Sequence, residues 1–207
     1  MSSAKQLDPL NPRKQPVQSR SSKTVDVILE AAAHILEERG FDGYTTNAIA
    51  ERAGVSIGSL YQYFPSKDAI TIALIERESM VLLEAVSQAC ALDDWQAALK
   101  AMIRAATEHQ LSRPRLARLL DFEESRLATH ARNPRVASTL HPAVTGVLDR
   151  RLKRKSKKSA VIALDVLAIT RGLSDSAGER GETDPDDLEK RIQRAVFGFL
   201  DLSLNPP

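Results

Sequence analysis

Two short segments, residues 46–53 and 57–64, constrain the fold more than any other feature of this chain. Each is too short to be a stable helix alone, since isolated helices below ~12–15 residues are marginal in water. In the first, Ile49, Ala50 and Ala53 recur at three- and four-residue spacing, and Thr46 is placed to cap it. Gly54 then turns the chain, a step that needs a residue tolerant of positive φ. Ser56 is placed to cap the second segment and Pro65 to end it. Two short helices joined by a tight glycine turn are the sequence form of a helix-turn-helix. Upstream, Val25, Ile28, Leu29, Ala32, Ile35 and Leu36 give one apolar face to a helix over 21–39, with Gly40 at its C-cap.

Everything downstream also reads as helix. Ser66 opens a longer one through Ile70, Leu74, Met80 and Leu83, and further helices are predicted over 95–111, 114–129 and 136–152, with Pro114, Pro134 and Pro142 as punctuation. Aromatics are only 4% of the chain, no run alternates as a strand would, and the apolar content comes mainly from Ala, Leu, Ile and Val. The fold class is therefore all-α. At 43% hydrophobic and 27% charged, the composition also excludes wholesale disorder.

The last two helices, 160–178 and 185–204, differ from the rest. Residues 160–173 are apolar around most of the circumference, and Leu188, Ile192, Val196 and Phe199 adjoin a second stripe of Phe197, Leu200 and Leu204. Helices this apolar must be buried on more than one side, which points to a homodimer interface. Asp184, Pro185, Asp186 and Asp187 mark the start of the last helix: a cap, a proline in the first turn, then acids that suit the helix dipole.

Several function classes drop out. The longest apolar run is five residues, Ala160 to Leu164, far from the ~20 that cross a bilayer. Residues 1–19, with Pro9, Pro12 and Pro16, form a proline-rich basic arm with no apolar signal region. The lone Cys90 builds no disulfide framework, and a cytoplasmic location is expected. Gly54-Val55-Ser56-Ile57-Gly58 matches the nucleophile-elbow pattern, but that motif needs a strand before it and the preceding residues are helical. His34, His109, His130 and His141 fall in no catalytic or metal-ligand spacing. No catalytic residue, metal or cofactor is expected, and the chain reads as a non-enzyme.

Net charge is +2, from 29 basic and 27 acidic residues, and says little about partners. Its distribution says more. Lys5, Arg13, Lys14, Arg20 and Lys23 face only Asp8 within the first 25 residues, and seven of the nine residues Arg150 to Lys158 are basic. Such patches suit a nucleic-acid footprint or a solvated surface equally well, and the second run is read as a solvated linker.

The segment Thr45 to Asp68, with Ile49-Ala50, Ala53-Gly54-Val55-Ser56, Gly58-Ser59-Leu60-Tyr61-Gln62-Tyr63-Phe64 and Pro65-Ser66-Lys67, resembles the DNA-binding signature of the TetR family of bacterial transcriptional regulators. The resemblance implies a three-helix helix-turn-helix domain over 20–68 and a larger helical effector-binding and dimerisation domain over 69–207. It implies a homodimer on double-stranded palindromic operator DNA, usually a repressor, released by a small-molecule effector. An activator of the same fold, or an interaction module without DNA binding, are the alternatives. By the same resemblance, Thr46, Lys67 and a phenol of Tyr61 or Tyr63 would meet phosphates, which fixes register rather than sequence. Ser56 and Ile57 would lie on the groove-facing side, and Ser59 and Gln62 are the candidates for base reading, a Gln amide being able to pair with adenine. No charged residue occurs from Gly54 to Phe64, and Ile57 stands where many members carry Lys or Arg. Affinity would then draw on Arg20, Lys23 and Lys67. For the effector the candidates are Trp95, Met102, His109 and Phe122, with Arg104 and Arg126 open to an acidic ligand or to water.

Overall fold

The computed structural model describes residues 19–131, 134–152 and 157–204. The arm expected over 1–19 (all but Ser19) and residues 153–156 of the basic run lie outside the described residues. Among the described residues there are nine helices and no strand: α1 (Ser19–Gly43), α2 (Thr46–Ala53), α3 (Ile57–Tyr63), α4 (Lys67–Cys90), α5 (Trp95–Ser112), α6 (Pro114–Ala131), α7 (Pro134–Leu152), α8 (Lys157–Glu179) and α9 (Pro185–Leu204). The chain divides into two compact units, Met1–Arg77 with Leu119–Thr129, and Glu78–Arg118 with His130–Pro207.

In the first unit α1 packs on α2 and α2 on α3. α1 is broken at Gly40, whose φ of 63° and ψ of −160° lie outside the helical region, where the sequence places the helix end. Ile28, Ile35 and Leu36 of α1, Ile49 of α2, Leu60 of α3 and Phe64 just after it are fully buried. Ala53, expected on the apolar face of α2, and Val55 after the turn are only half-buried. Gly54 turns between α2 and α3 at φ 67°, ψ 28°, and its N–H and that of Val55 satisfy the carbonyls of Glu51 and Ala50 at 3.1 and 3.0 Å.

The caps correct one expectation. The N-cap of α2 is Thr45, not Thr46: Thr45 has extended backbone and its Oγ1 accepts from the Ala48 N–H at 3.2 Å. With Thr45 in that position the chain is already helical at Thr46, so the Thr46 hydroxyl is left free of capping and pairs elsewhere. Ser56 and Ser66 cap as expected, accepting from the N–H groups of Ser59 (3.0 Å) and Ala69 (3.1 Å). Asp184 accepts from both Asp186 and Asp187, at 3.0 and 3.1 Å, and starts α9.

In the second unit α5 lies among α7, α8 and α9. Met102 and Ile103 of α5, Val147 and Leu148 of α7, Ile162 and Val166 of α8, and Leu188, Ile192, Val196 and Leu200 of α9 form one buried cluster. The α9 residues in it repeat every fourth position, so Leu200 joins the stripe of Leu188 and Ile192, while Phe197 and Phe199 pack half-buried at its edges. Pro142 does not punctuate the chain; it lies inside α7. An interior proline costs ~3 kcal/mol. Val144, Val147 and Leu148, buried just beyond it, offset that at ~1.5–3 kcal/mol each and carry the helix through. Val161 and Leu164 of α8 and Leu202 of α9 remain 54–72% exposed.

The capping assignment has a direct check. Thr45→Ala should lower unfolding free energy by about 1 kcal/mol in urea titration, the ordinary worth of an N-cap. Thr46→Ala should stay within about 0.5 kcal/mol of the parent.

Candidate nucleic-acid interface

α3 has seven residues, and its two sides are sharply different. Leu60 faces inward with no exposure, and Phe64 follows it into the core. Ser56, Ile57, Tyr61 and Gln62 are exposed on the other side, and Ser59 and Tyr63 are half-buried at its margins. Four of the expected contact residues therefore share one open, uncharged face. Ile57 and Tyr61 are 39% and 41% exposed.

Ser59 is partly committed: its N–H donates to Ser56 Oγ and the two hydroxyls lie 2.9 Å apart. Gln62 carries no such commitment among the described residues. Thr46 and Tyr61 come together from different helices, with Thr46 Oγ1 3.2 Å from the Tyr61 hydroxyl. Two groups expected to meet phosphate separately thus form one polar edge beside the exposed side of α3.

The cations around this face divide into committed and uncommitted ones. Arg52 of α2 makes a two-pronged bridge to Glu38 of α1, at 2.8 and 2.9 Å, and fixes α2 on α1. Arg77 pairs with Glu30 at 3.0 Å. Lys67, at the first position of α4, is exposed and has no carboxylate partner among the described residues; its Nζ stands 5.7 Å from the centre of the Tyr44 ring. Lys23 is exposed near the start of α1.

Three contributors escaped the sequence reading. Tyr44 falls in what looks like a bare connection, yet it is 1% exposed and accepts a hydrogen bond from the Thr71 hydroxyl at 3.2 Å. Burial pushes its phenol up to about 12, against the hydrogen bond from Thr71. Asp68 and Glu123 are the other two. Both hold Arg126, read from the sequence as an effector ligand or a solvated charge, with Glu123 gripping it two-pronged at 2.7–3.1 Å and Asp68 at 2.6 Å. Glu123 first and then Asp68 push the guanidinium pKa further up. Nothing in the local sequence marks a pair 58 residues apart.

The effector candidates do not gather. Phe122 lies in the first unit, 59% exposed, with its ring 5.3 Å from that of Phe41. Trp95, Met102 and His109 are on α5 in the second unit. Trp95 packs 6.0 Å from Phe197 under the Arg151 guanidinium, and Met102 is part of the buried cluster. Burial holds the His109 pKa down, with Glu78 pulling the other way. Arg104 is exposed and paired with Glu108 at 3.1 Å.

Residues 28–74 match the model of the bacterial regulatory proteins of the tetR family, and residues 94–200 match the tetracyclin repressor-like C-terminal domain. The chain belongs to the TetR family. Its fold is that of solved regulators such as a TetR transcription regulator from Haloarcula marismortui (TM-score 0.73, 16% identity, covering 87% of this chain and 97% of that one). A TetR-like regulator from Rhodococcus sp. RHA1 gives a TM-score of 0.67 at 21% identity, over 86% and 95%. Among curated relatives, the nucleoid occlusion factor SlmA of Glaesserella parasuis is 31% identical over 107 residues, 52% of each chain. The transcriptional repressor KstR of Mycolicibacterium smegmatis is 41% identical over 51 residues, 25% of each. The chain spans about half or less of the length of these curated relatives. No helix among the described residues is long and apolar enough to cross a membrane.

The buried Tyr44 gives this TetR head an alkaline limit. A phenol whose folded pKa lies above its unfolded value of 10 contributes stability that is complete below pH 10 and is lost as pH rises toward about 12. Stability of the protein should fall across that window, and Tyr44→Phe should flatten the fall in denaturant titrations run at successive pH values.

Proposed function

We propose that this protein is a transcriptional repressor that binds a palindromic operator as a homodimer and releases it when a small molecule binds. The observation that carries the reading is the exposed, uncharged face of α3, held rigidly from behind by Leu60 and Phe64 and flanked by the uncommitted Lys67. In helix-turn-helix proteins such a helix enters the major groove, and a two-fold dimer reads half-sites about one helical turn, ~34 Å, apart. Gln62 reads a base edge, Ile57 offers apolar contact to a thymine methyl, and Ser56 and Ser59 border the groove. Lys67, Tyr61, Tyr63 and Thr46 hold phosphates and set register. Repression is supported by the likeness to the repressor KstR over 51 residues.

Residues 20–68 carry the DNA contacts in this reading, and 69–207 carry effector binding and dimerisation. The second copy docks on α8 and α9, where Val161, Leu164 and Leu202 stay largely exposed although the inner side of both helices joins the buried cluster. Lys158 donates to the Ser203 carbonyl at 2.9 Å, which sets these three side chains at the same end of the α8–α9 pair. Cover for an exposed apolar face of this kind is what a homodimer supplies. The effector is held in the second unit, with Trp95, Met102 and His109 as its candidates; Phe122 belongs to the first unit and is set apart from them.

Selection of bound sequences from random DNA tests the reading directly: a two-fold symmetric site is expected, and a reporter placed behind it should be shut down by the protein. Gln62→Ala should change preference at one position of the half-site; an unaltered preference would remove its base-reading role. Lys67→Ala should weaken selected and random DNA alike, by about tenfold, and lower the slope of log affinity against log salt by about 1. Val161→Glu combined with Leu164→Glu should convert the dimer to monomer in sedimentation velocity, at unchanged helix content.

A further inference from the structure

The four charges at the start of α4 and on α6 sort themselves unequally. Lys67 and Asp68 are neighbours in the chain, yet they do not pair. Asp68 is held by Arg126 Nη2 at 2.6 Å, and the same nitrogen reaches Glu123 at 2.7 Å. The Glu123 side chain is only 8% exposed and grips the guanidinium with both oxygens, so Arg126 is anchored from the protein side and shares its Nη2 with Asp68. The Asp68 side chain is 35% exposed. Without Arg126 it would be a free carboxylate one residue from the cation that meets DNA, where it would attract the ammonium and repel the phosphate.

We propose that Arg126 is a positioning residue for DNA binding: by holding Asp68 it keeps that carboxylate off Lys67 and away from the phosphate that Lys67 contacts. The proposal rests on the reading of Lys67 as a phosphate contact. It differs from a purely mechanical role, in which the Arg126–Asp68 pair is a strut between α6 and α4. A strut is broken by changing either end. A charge screen is broken only by losing the arginine, and losing the aspartate makes it unnecessary.

The test is binding of duplex DNA of random sequence and of the selected operator, by fluorescence anisotropy at several salt concentrations, for a set of variants of the full chain. Arg126→Ala should weaken both DNAs by about tenfold, an effect that shrinks as salt screens the freed carboxylate. Asp68→Asn should bind as well as the parent or up to about threefold tighter. Asp68→Asn added to Arg126→Ala should recover binding to within about twofold of the parent. If Asp68→Asn weakens binding as Arg126→Ala does, or if the double variant shows no recovery, the arginine is a strut and the proposal is overturned. Arg126→Ala also strips a buried carboxylate of its partner, so thermal unfolding is followed in parallel. Should that variant unfold, Asp68→Asn alone still decides, because the two roles predict opposite signs for it. Lys67→Ala separates the layers: unchanged affinity removes the phosphate-contact reading and the proposal with it. Weakened affinity without rescue by Asp68→Asn removes the role of Arg126 alone.

Discussion

A helix of seven residues exists here only because one side of it is dry. Closing the first turn fixes several residues for a single hydrogen bond, and a segment as short as α3 never recovers that cost by itself. Leu60 and Phe64, both essentially without exposure, supply the missing free energy by burial, at ~1.5–3 kcal/mol for each side chain. The caps complete it. Ser56 takes one of the free N–H groups at the start, and Phe64 itself donates to the Leu60 carbonyl at 2.9 Å as the helix ends. With the inner side so committed, the outer side is free of structural duty, and Ile57, Tyr61 and Gln62 can stand in water without loss of the fold.

Most of this was legible because it is local. Glycine at a positive-φ turn, serine ahead of a helix and proline after one each act within a few residues, and the structure has them at Gly54, Ser56 and Pro65 as the sequence suggested. The error at Thr45 and Thr46 shows the resolution of such reading. Two adjacent threonines have the same capping chemistry, and only the backbone decides which is extended and which is already helical. Pro142 failed for a different reason. Proline reports a local cost, while the burial of Val144, Val147 and Leu148 that outweighs it is tertiary.

What the sequence could not show is which charges are spent. Arg52, Arg77 and Arg126 look as available to DNA as Lys67 does, but each is bound to a carboxylate from elsewhere in the first unit. Glu38 lies 14 residues from Arg52, and Asp68 lies 58 from Arg126. These separations carry no periodic signal. The near-neutral total of +2 is therefore compatible with DNA binding: three arginines of the first unit stiffen it, and exposed cations there, Lys23, Arg39 and Lys67 among the described residues, are left to act at long range.

The first unit is consequently not a contiguous stretch of chain. Leu119–Thr129 belongs to it, and brings Leu120, Glu123 and Leu127 as a buried stripe, Phe122 against Phe41, and Arg126 onto Asp68. During synthesis α1 to α4 emerge well before their last partners do. A domain that waits for distant segments pays loop-closure entropy before the contacts that reward it. In this unit the waiting contacts include the counter-charge of a carboxylate beside Lys67, so completing the fold and completing the electrostatics of the surface around Lys67 are one event.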